Sequence, residues 1–312
     1  NLEEAMARDA GIEFEITRGR TAQAVIDGLL ETGADAAVTS YAMFPREVFE
    51  ACPNLKAVSR TGVGYDEIDV EAATEHGVAV CNVPGYGTEV VSDHAITLAL
   101  SVLRRINEPD MRRGVWDYAR TRPLGQCRGR VFGVVGMGEI GRAAAKKAAG
   151  LGFEVVCWSR SLKPGRRTPE GYPVLRLEEL LQTADVVSLH TALTPETHHL
   201  INAERLALMK PDAVLVNTAR GAVVDTVALA QALCEDKLWG AGLDVFEQEQ
   251  PFDFDHPIVK APHTVLSAHA AYWSEESGRE LRERAMQAAI DAVQGRVPVD
   301  CLNPCVFDSS AR

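Results

Sequence analysis

The stretch GMGEIG, Gly136–Gly141, sits between the apolar run VFGVV (131–135) and the helix-forming run RAAAKKAAG (142–150). Each glycine has a separate steric task there. Gly136 permits the tight turn, Gly138 lets a pyrophosphate approach the backbone, and Gly141 allows the helix to pack closely on the strand. Glu139 and Ile140 open that helix, whose first N–H groups face the bound phosphates. Glycine triplets arise by chance, but strand, glycine turn and helix in this order are what a dinucleotide-binding unit demands. The context favours that reading over a plain βα turn with glycines for sterics.

Five more strands are predicted beyond VFGVV: EVVCW (154–158), DVVSLH (185–190), AVLVN (213–217), GAGLDV (240–245) and TVLSA (264–268). Helices starting near Glu139, Leu177, Ala203 and Val223 separate them, which describes a doubly wound parallel sheet. Upstream, residues 1–83 repeat the alternation. IEFEI (12–16) precedes a helix over 21–31, then come AAVTS (36–40), a helix opened by Pro45, KAVSR (56–60), the glycine loop TGVGYDEID (61–69) and VAVCNV (78–83). The opening NLEEAMARDAG reads as a helix, with neither an initiating Met nor a signal-peptide core, and a further strand is expected ahead of it. After Pro84 and Gly85, TEVVSDHAITLALSVLRR (88–105) predicts a helix apolar nearly all round, hence buried between domains or subunits. A final amphipathic helix runs from Ser274 to about Gln294, and the tail behind it is expected to fold back onto the first domain.

The expected architecture is α/β, with two doubly wound Rossmann-like domains, parallel sheets and an interdomain active-site cleft. Residues 1–83 with 281–312 form a discontinuous substrate domain, and residues 84–280 the dinucleotide-binding Rossmann domain.

With 312 residues, 46% hydrophobic and 24% charged, the chain has the composition of a globular protein of two domains. Its longest apolar runs fall short of a membrane span. A formal charge of −12 argues against nucleic acid as a partner, since phosphate backbones are bound by clustered cations. The seven cysteines lack the paired spacing of a zinc site. Cys301 and Cys305 are close, but nothing upstream answers them, so free thiols of a cytoplasmic protein are the reading. Adjacent His198 and His199 do not point at one ion, and no metal is expected.

About 20 residues after a dinucleotide turn, an acid normally grips the adenosine ribose of NAD. This chain has Ser159 and Arg160 there instead. A serine accepts the neighbourhood of a 2′-phosphate and an arginine bonds it with charge assistance. The expectation is NADP(H) in preference to NAD(H), with Lys163, Arg166 and Arg167 adding local positive charge.

In an open parallel sheet, ligands bind beyond the carboxyl ends of the strands. Arg220 follows AVLVN, Glu247 and Glu249 follow GAGLDV, and His269 follows TVLSA. A cation, a carboxylate and an imidazole along one edge suit hydride transfer to a carbonyl. The arginine would polarise the C=O and hold a neighbouring carboxylate. The histidine would protonate the developing alkoxide, and a glutamate bonded to the ring would favour its protonated form.

Over nearly its whole length the sequence resembles the D-2-hydroxyacid dehydrogenases, and within them the branch that includes the C-terminal-binding-protein (CtBP) co-repressors. The segments that carry the likeness are SRTGVGYDEIDV, AVCNVP, GVVGMGEIG, SLHTALTPETHHLIN, LVNTARGAVVD, GLDVFEQEQPF, SAHAAYWSEES and GRVPVDCLN. The resemblance implies that Arg220 binds substrate, Glu249 partners the histidine, and His269 donates the proton. It implies that the amides of Val63 and Gly64 take the substrate carboxylate, with Arg60 reaching it too. Thr191, Thr218, Ala219 and Asp244 correspond to contacts with the nicotinamide half of the cofactor. Where the co-repressor branch has HAAWYS, this chain has HAAYWS, so Tyr272 stands at a pocket position where Trp is expected. The implied activity is NAD(P)H-dependent reduction of a 2-oxo acid to a D-2-hydroxy acid. The alternative is a CtBP-like dinucleotide-sensing scaffold without significant turnover. A homodimer through the cofactor domain, using the helix at 88–105, is implied as well.

Overall fold

The structure, a computed structural model, describes residues 2–106 and 124–308 together with Gly114, Trp116, Asp117 and Ala119. The chain divides into two compact units, Asn1–Tyr86 with Ser274–Arg312 and Gly87–Trp273. The second boundary falls at the cap of the last helix, α11 (Glu275–Val293), where Ser274 Oγ accepts from Ser277 N at 3.0 Å. The division expected at 280/281 would cut that helix. Apolar periodicity marks a helix face but not the domain that owns it.

In the first unit, β1 (Ala36–Thr39), β2 (Ala57–Arg60) and β3 (Ala79–Cys81) form a parallel sheet in sequential order, with Ala36 paired to Ala57 and Ala57 to Ala79. Helices α2 (Ala22–Thr32), α3 (Arg46–Ala51) and α4 (Val70–Glu75) cover one face through Phe49, Val58, Ala72 and Val80. The other face is covered by α11. Ala57 and Ala79 there meet Ala292, so small residues on both sides let the helix lie close. The N-terminal helix α1 (Leu2–Asp9) packs on α11 through Ala7, Met286 and Ile290.

One predicted strand is absent. Residues 12–16 form no strand and pair with none among the described residues. Together with the edge of β1 they line a cavity of about 660 Å3. Their alternating pattern is realised only in part: Ile12 and Phe14 pack into the α1/α11 cluster, whereas Ile16, on the same side by that period, is exposed. A period of two reports an extended chain with one apolar side; it does not supply a ladder partner.

The second unit is a six-stranded parallel sheet ordered β5-β4-β6-β7-β8-β9. Its strands are β4 (Val131–Val135), β5 (Glu154–Trp158), β6 (Val186–Leu189), β7 (Val214–Asn217), β8 (Gly240–Leu243) and β9 (Thr264–Leu266). The chain runs from β4 outward to β5 and returns to the opposite side of β4 at β6, so the winding reverses there. On one face lie α5 (Thr88–Leu103) and α6 (Glu139–Gly150). On the other lie α7 (Leu177–Thr183), α8 (Ala203–Leu206), α9 (Thr226–Cys234) and α10 (Pro257–Lys260). With both faces covered, the central strands are continuous apolar runs, as parallel sheets require.

The apolar wrap of α5 is consumed inside this unit. Gly242 of β8 lies so close that a Cβ there would sit 2.8 Å from Leu98 Cβ, and Leu98, Ala99 and Val102 are buried. The helix expected near Val223 begins at Thr226 instead. Gly221–Val223 is a 3-10 turn, and Asp225 caps α9 by accepting from Ala228 N at 2.9 Å. The described residues include no helix long and apolar enough to cross a membrane.

Candidate active site

The glycine turn closes at the switch point between β4 and β6. Gly136 has φ 101°, and a Cβ on it would lie 2.5 Å from His190 O at the end of β6. A Cβ on Gly141 would collide with Gly136 O, whereas Gly138, the residue that caps α6, has nothing within 4 Å. Two glycines are therefore required by the protein's own packing, and the third opens the backbone to a ligand. His190 Nε2 lies 2.8 Å from Ser188 Oγ, and burial pushes its imidazole down to about 4, leaving it neutral at pH 7 beside the turn.

Ser159 and Arg160 follow the end of β5. Ser159 Oγ lies 3.3 Å from Ser161 Oγ. Arg160 Nη1 reaches Thr194 Oγ1 at 3.3 Å and Glu196 Oε2 at 3.4 Å, with both charged side chains largely exposed. The guanidinium thus stands beyond the strand end, held by a weak, solvated pair. Thr191 follows β6 and Thr218 follows β7. The Thr218 hydroxyl is buried and has no hydrogen-bond partner among the described residues.

The three strand-end groups are built by two turns and a loop. Asn217, at the end of β7, accepts from Ala219 N at 3.0 Å and donates to Arg220 O at 2.9 Å, fixing the backbone that carries Arg220. Gly221 comes next, where any side chain would collide with the backbone of Phe246 and Glu247. That close approach brings the turn bearing Arg220 against the loop bearing Glu249. The two glutamates of FEQE divide their work. Glu247 accepts from Thr226 N at 3.0 Å and Thr226 Oγ1 at 2.6 Å and lies 2.9 Å from His199 Nε2, tying the loop to α9. Glu249 Oε2 meets His269 Nδ1 at 2.7 Å, and its Oε1 accepts from Phe246 N at 3.2 Å. Burial raises the Glu249 carboxyl, but the His269 bond and charge, the Phe246 N–H and the charge of Arg220 together outweigh it and hold the group below its usual range.

His269 itself sits at φ 50°, a left-handed conformation that costs a β-carbon residue about 1 kcal/mol or more. The compensation comes from Asp244, fully buried just past β8. Asp244 O accepts from His269 N at 2.8 Å, its Oδ1 accepts from Ala270 N at 2.9 Å and Ser267 Oγ at 2.5 Å, and its Oδ2 accepts from Ala271 N at 2.9 Å. Ser267 Oγ is in turn 2.9 Å from His94 Nε2 on α5. Asp244, expected as a cofactor contact, spends both carboxylate oxygens on the loop that presents His269. Tyr272 stands edge-on to the His269 ring, with centroids 6.0 Å apart.

In the first unit, Arg60 ends β2 almost buried. Its Nη1 donates to Thr61 O at 2.7 Å, its Nη2 is 3.8 Å from Glu67 Oε1, and its Nε finds no partner among the described residues. Gly62, at φ 156°, lets the guanidinium lie against the backbone, where a Cβ would collide with it. Asn82 Nδ2 donates to Val63 O at 2.7 Å, which turns the Val63 carbonyl inward; Val63 itself is 41% exposed.

Residues 96–271 match the family model described as D-isomer specific 2-hydroxyacid dehydrogenase, NAD binding domain. The chain belongs to the D-isomer-specific 2-hydroxyacid dehydrogenase family. A glyoxylate reductase of Thermococcus litoralis is 40% identical over 273 residues, covering 85% of this chain and 82% of its own. Among solved structures, a D-lactate dehydrogenase from Aquifex aeolicus, complexed with NAD and lactic acid, superposes with a TM-score of 0.85 at 28% identity, covering 97% of each chain. An acyclic imino acid reductase, Bsp5, in complex with NADPH and D-Arg, superposes with a TM-score of 0.85 at 26% identity, covering 97% of this chain and 95% of its own.

This 2-hydroxyacid dehydrogenase works with a nicotinamide dinucleotide, and its residues fit that cofactor. Open space above Gly138 at the start of α6 matches a pyrophosphate, and the orphaned Thr218 hydroxyl offers a buried polar group at the sheet's ligand-binding edge. Sequence reasoning missed two supports of the dehydrogenase loop, His94 and Ser267. His94 lies over 170 positions from its partner (|i−j| 173), and a lone histidine on an apolar helix carries no sequence signal of what it meets.

Proposed function

We propose that this dehydrogenase reduces a small 2-oxo acid, glyoxylate first among them, with NADP(H) as its preferred cofactor. The reduced nicotinamide supplies the hydride. Protonated His269 gives its Nε2 proton to the carbonyl oxygen as negative charge develops there, while Glu249 on Nδ1 fixes the ring and stabilises the imidazolium. Arg220 polarises the carbonyl and neutralises the carboxylate beside it. In the first unit, the Val63 and Gly64 amides, with Arg60, are the groups that the family resemblance assigns to carboxylate binding. Tyr272 limits side-chain bulk near the ring.

The observation that carries this reading is the 2.7 Å bond between His269 and Glu249 in a carboxylate that also feels Arg220, all at the ends of neighbouring strands. Glyoxylate is supported by the glyoxylate reductase likeness. The NADP(H) preference is supported by Ser159 and Arg160 standing where an acid would repel a 2′-phosphate. Arg160 would exchange its exposed partner Glu196 for the phosphate. A homodimer through the second unit is a further part of the proposal. Its support is no longer α5, which is satisfied internally, but the exposed Ile106 and Trp116. The co-repressor-like scaffold is the poorer reading, because a sensor has no need of a histidine held in a strained turn.

The test is oxidation of NADPH and of NADH, followed by nicotinamide absorbance, with glyoxylate and a panel of larger 2-oxo acids. Turnover with NADPH preferred, falling on the order of 10²–10⁴-fold in His269→Ala, is the expected result. Preference for NADH would remove the phosphate argument and leave the reductase. Tight dinucleotide binding without turnover would favour the sensing scaffold.

A further inference from the structure

Sequence proximity pairs Cys301 with Cys305, but the fold sets Cys301 opposite Cys81. The segment after α11 runs antiparallel to the end of β3. Leu302 N donates to Val80 O at 2.8 Å and Asn82 N donates to Asp300 O at 3.4 Å, so Cys81 and Cys301 face each other without a backbone bond between them. In an antiparallel ladder this is the closer kind of pair, with Cα atoms about 4.5 Å apart, inside the roughly 4.4–6.8 Å that a disulfide spans. Other bonds hold the register. Asn303 Oδ1 accepts from Val80 N at 2.8 Å, and its Nδ2 donates to Thr74 Oγ1 at 2.8 Å and Val78 O at 2.9 Å. The register thus holds the two side chains on the same side of adjacent strands, where a disulfide can form.

The two thiols also have different characters. Cys81 is fully buried and Cys301 is half-buried. The neighbouring Cys81 thiol, against the opposing effect of burial, lowers the Cys301 thiol from its ordinary value, and the same contact together with burial raises Cys81; Cys301 Sγ also lies 3.6 Å from Asn303 Oδ1. A half-buried thiol made more acidic, next to a fully buried one made less so, is the arrangement of an attacking and a resolving cysteine.

We propose that Cys81 and Cys301 are an oxidation site, forming a reversible disulfide that latches the segment after α11 onto β3. With a hydroperoxide as oxidant, the Cys301 thiolate attacks the O–O bond and becomes a sulfenic acid, releasing the first water once its leaving oxygen is protonated. Cys81 then attacks the sulfenic sulfur, its proton leaves with the hydroxyl as a second water, and the S–S bond forms. Two thiols lose two electrons and two protons, and the peroxide takes up both.

The purified full chain is treated with hydrogen peroxide, alkylated and mapped by mass spectrometry. The expected result is a fall from seven free thiols to five, a mass lower by two hydrogen atoms, and a peptide joining Cys81 to Cys301. A dithiol reductant restores all seven. Cys301→Ser abolishes the linked peptide and Cys305→Ser keeps it. Because Cys81 is buried and its replacement disturbs packing, the half-buried Cys301 carries the mutational test. A bridge between Cys301 and Cys305, over-oxidation of Cys301 with Cys81 still free, or no change in thiol number would overturn the proposal.

Discussion

At the scale of single residues, the position that organises the candidate site is Asp244 rather than any group that would touch substrate. Its carboxylate accepts three hydrogen bonds from Ser267, Ala270 and Ala271 while buried, and its carbonyl accepts the His269 amide. Asp244→Asn keeps the volume and turns an acceptor into a donor. The new NH2 would face a backbone N–H or the Ser267 hydroxyl, leaving at least one buried donor unsatisfied at a cost of about 1–3 kcal/mol. The expected outcome is a lower denaturation midpoint and a kcat reduced about tenfold or more, with the dinucleotide Kd little changed. A Kd raised tenfold at unchanged stability would instead make Asp244 a cofactor ligand, as the family resemblance implied. The types and places of Arg220, Glu249 and His269 were legible in the sequence because strand ends locate them. The choice of Glu249 over Glu247 came from the family resemblance and not from strand ends, since it depends on which side of a loop each carboxylate faces. His94 and the Cys81–Cys301 pair were not legible, because contacts across a fold leave no trace in local spacing.

At the scale of elements, α1 is held to α11 by a bidentate Arg282–Glu3 bridge as well as by Ala7, Met286 and Ile290. The hydrogen bonds from Arg282 outweigh burial and keep the Glu3 carboxyl below its ordinary value. A carboxyl depressed in the folded state contributes its stabilisation above the unfolded value of about 4.3 and loses it as pH falls through the lower folded value. With Arg282 39% exposed, solvent screening limits the contribution to about 0.5–1 kcal/mol. Glu3→Gln is therefore expected to speed amide exchange in α1 near neutral pH about twofold to fivefold, the gap to wild type closing in acid. A gap that persists below about pH 3 would mean that the side chain acts by packing and not by charge. Sequence pattern placed both helices but not their pairing. It also read Ile12–Ile16 as a strand, because alternation specifies a one-sided extended chain and says nothing about whether a neighbouring strand is there to pair with it.

At the scale of the whole molecule, each unit has its own sheet and its own buried clusters, with α11 returning the chain to the first unit. Separate cores are the condition under which all-or-none unfolding fails, so calorimetry is expected to show two transitions. The glycine turn, Arg160 and the Thr218 hydroxyl all belong to the second unit. A dinucleotide that binds only folded protein stabilises what it binds by RT ln(1 + [L]/Kd), about 2.7 kcal/mol at a hundredfold excess over Kd. Saturating NADPH should therefore raise one transition by several degrees and leave the other nearly in place. The shifted transition should be the one reproduced by residues 87–273 expressed alone, if that segment folds. A single transition that moves as a whole would show instead that the two units unfold together, and the stability of the first unit would then depend on the cofactor bound to the second.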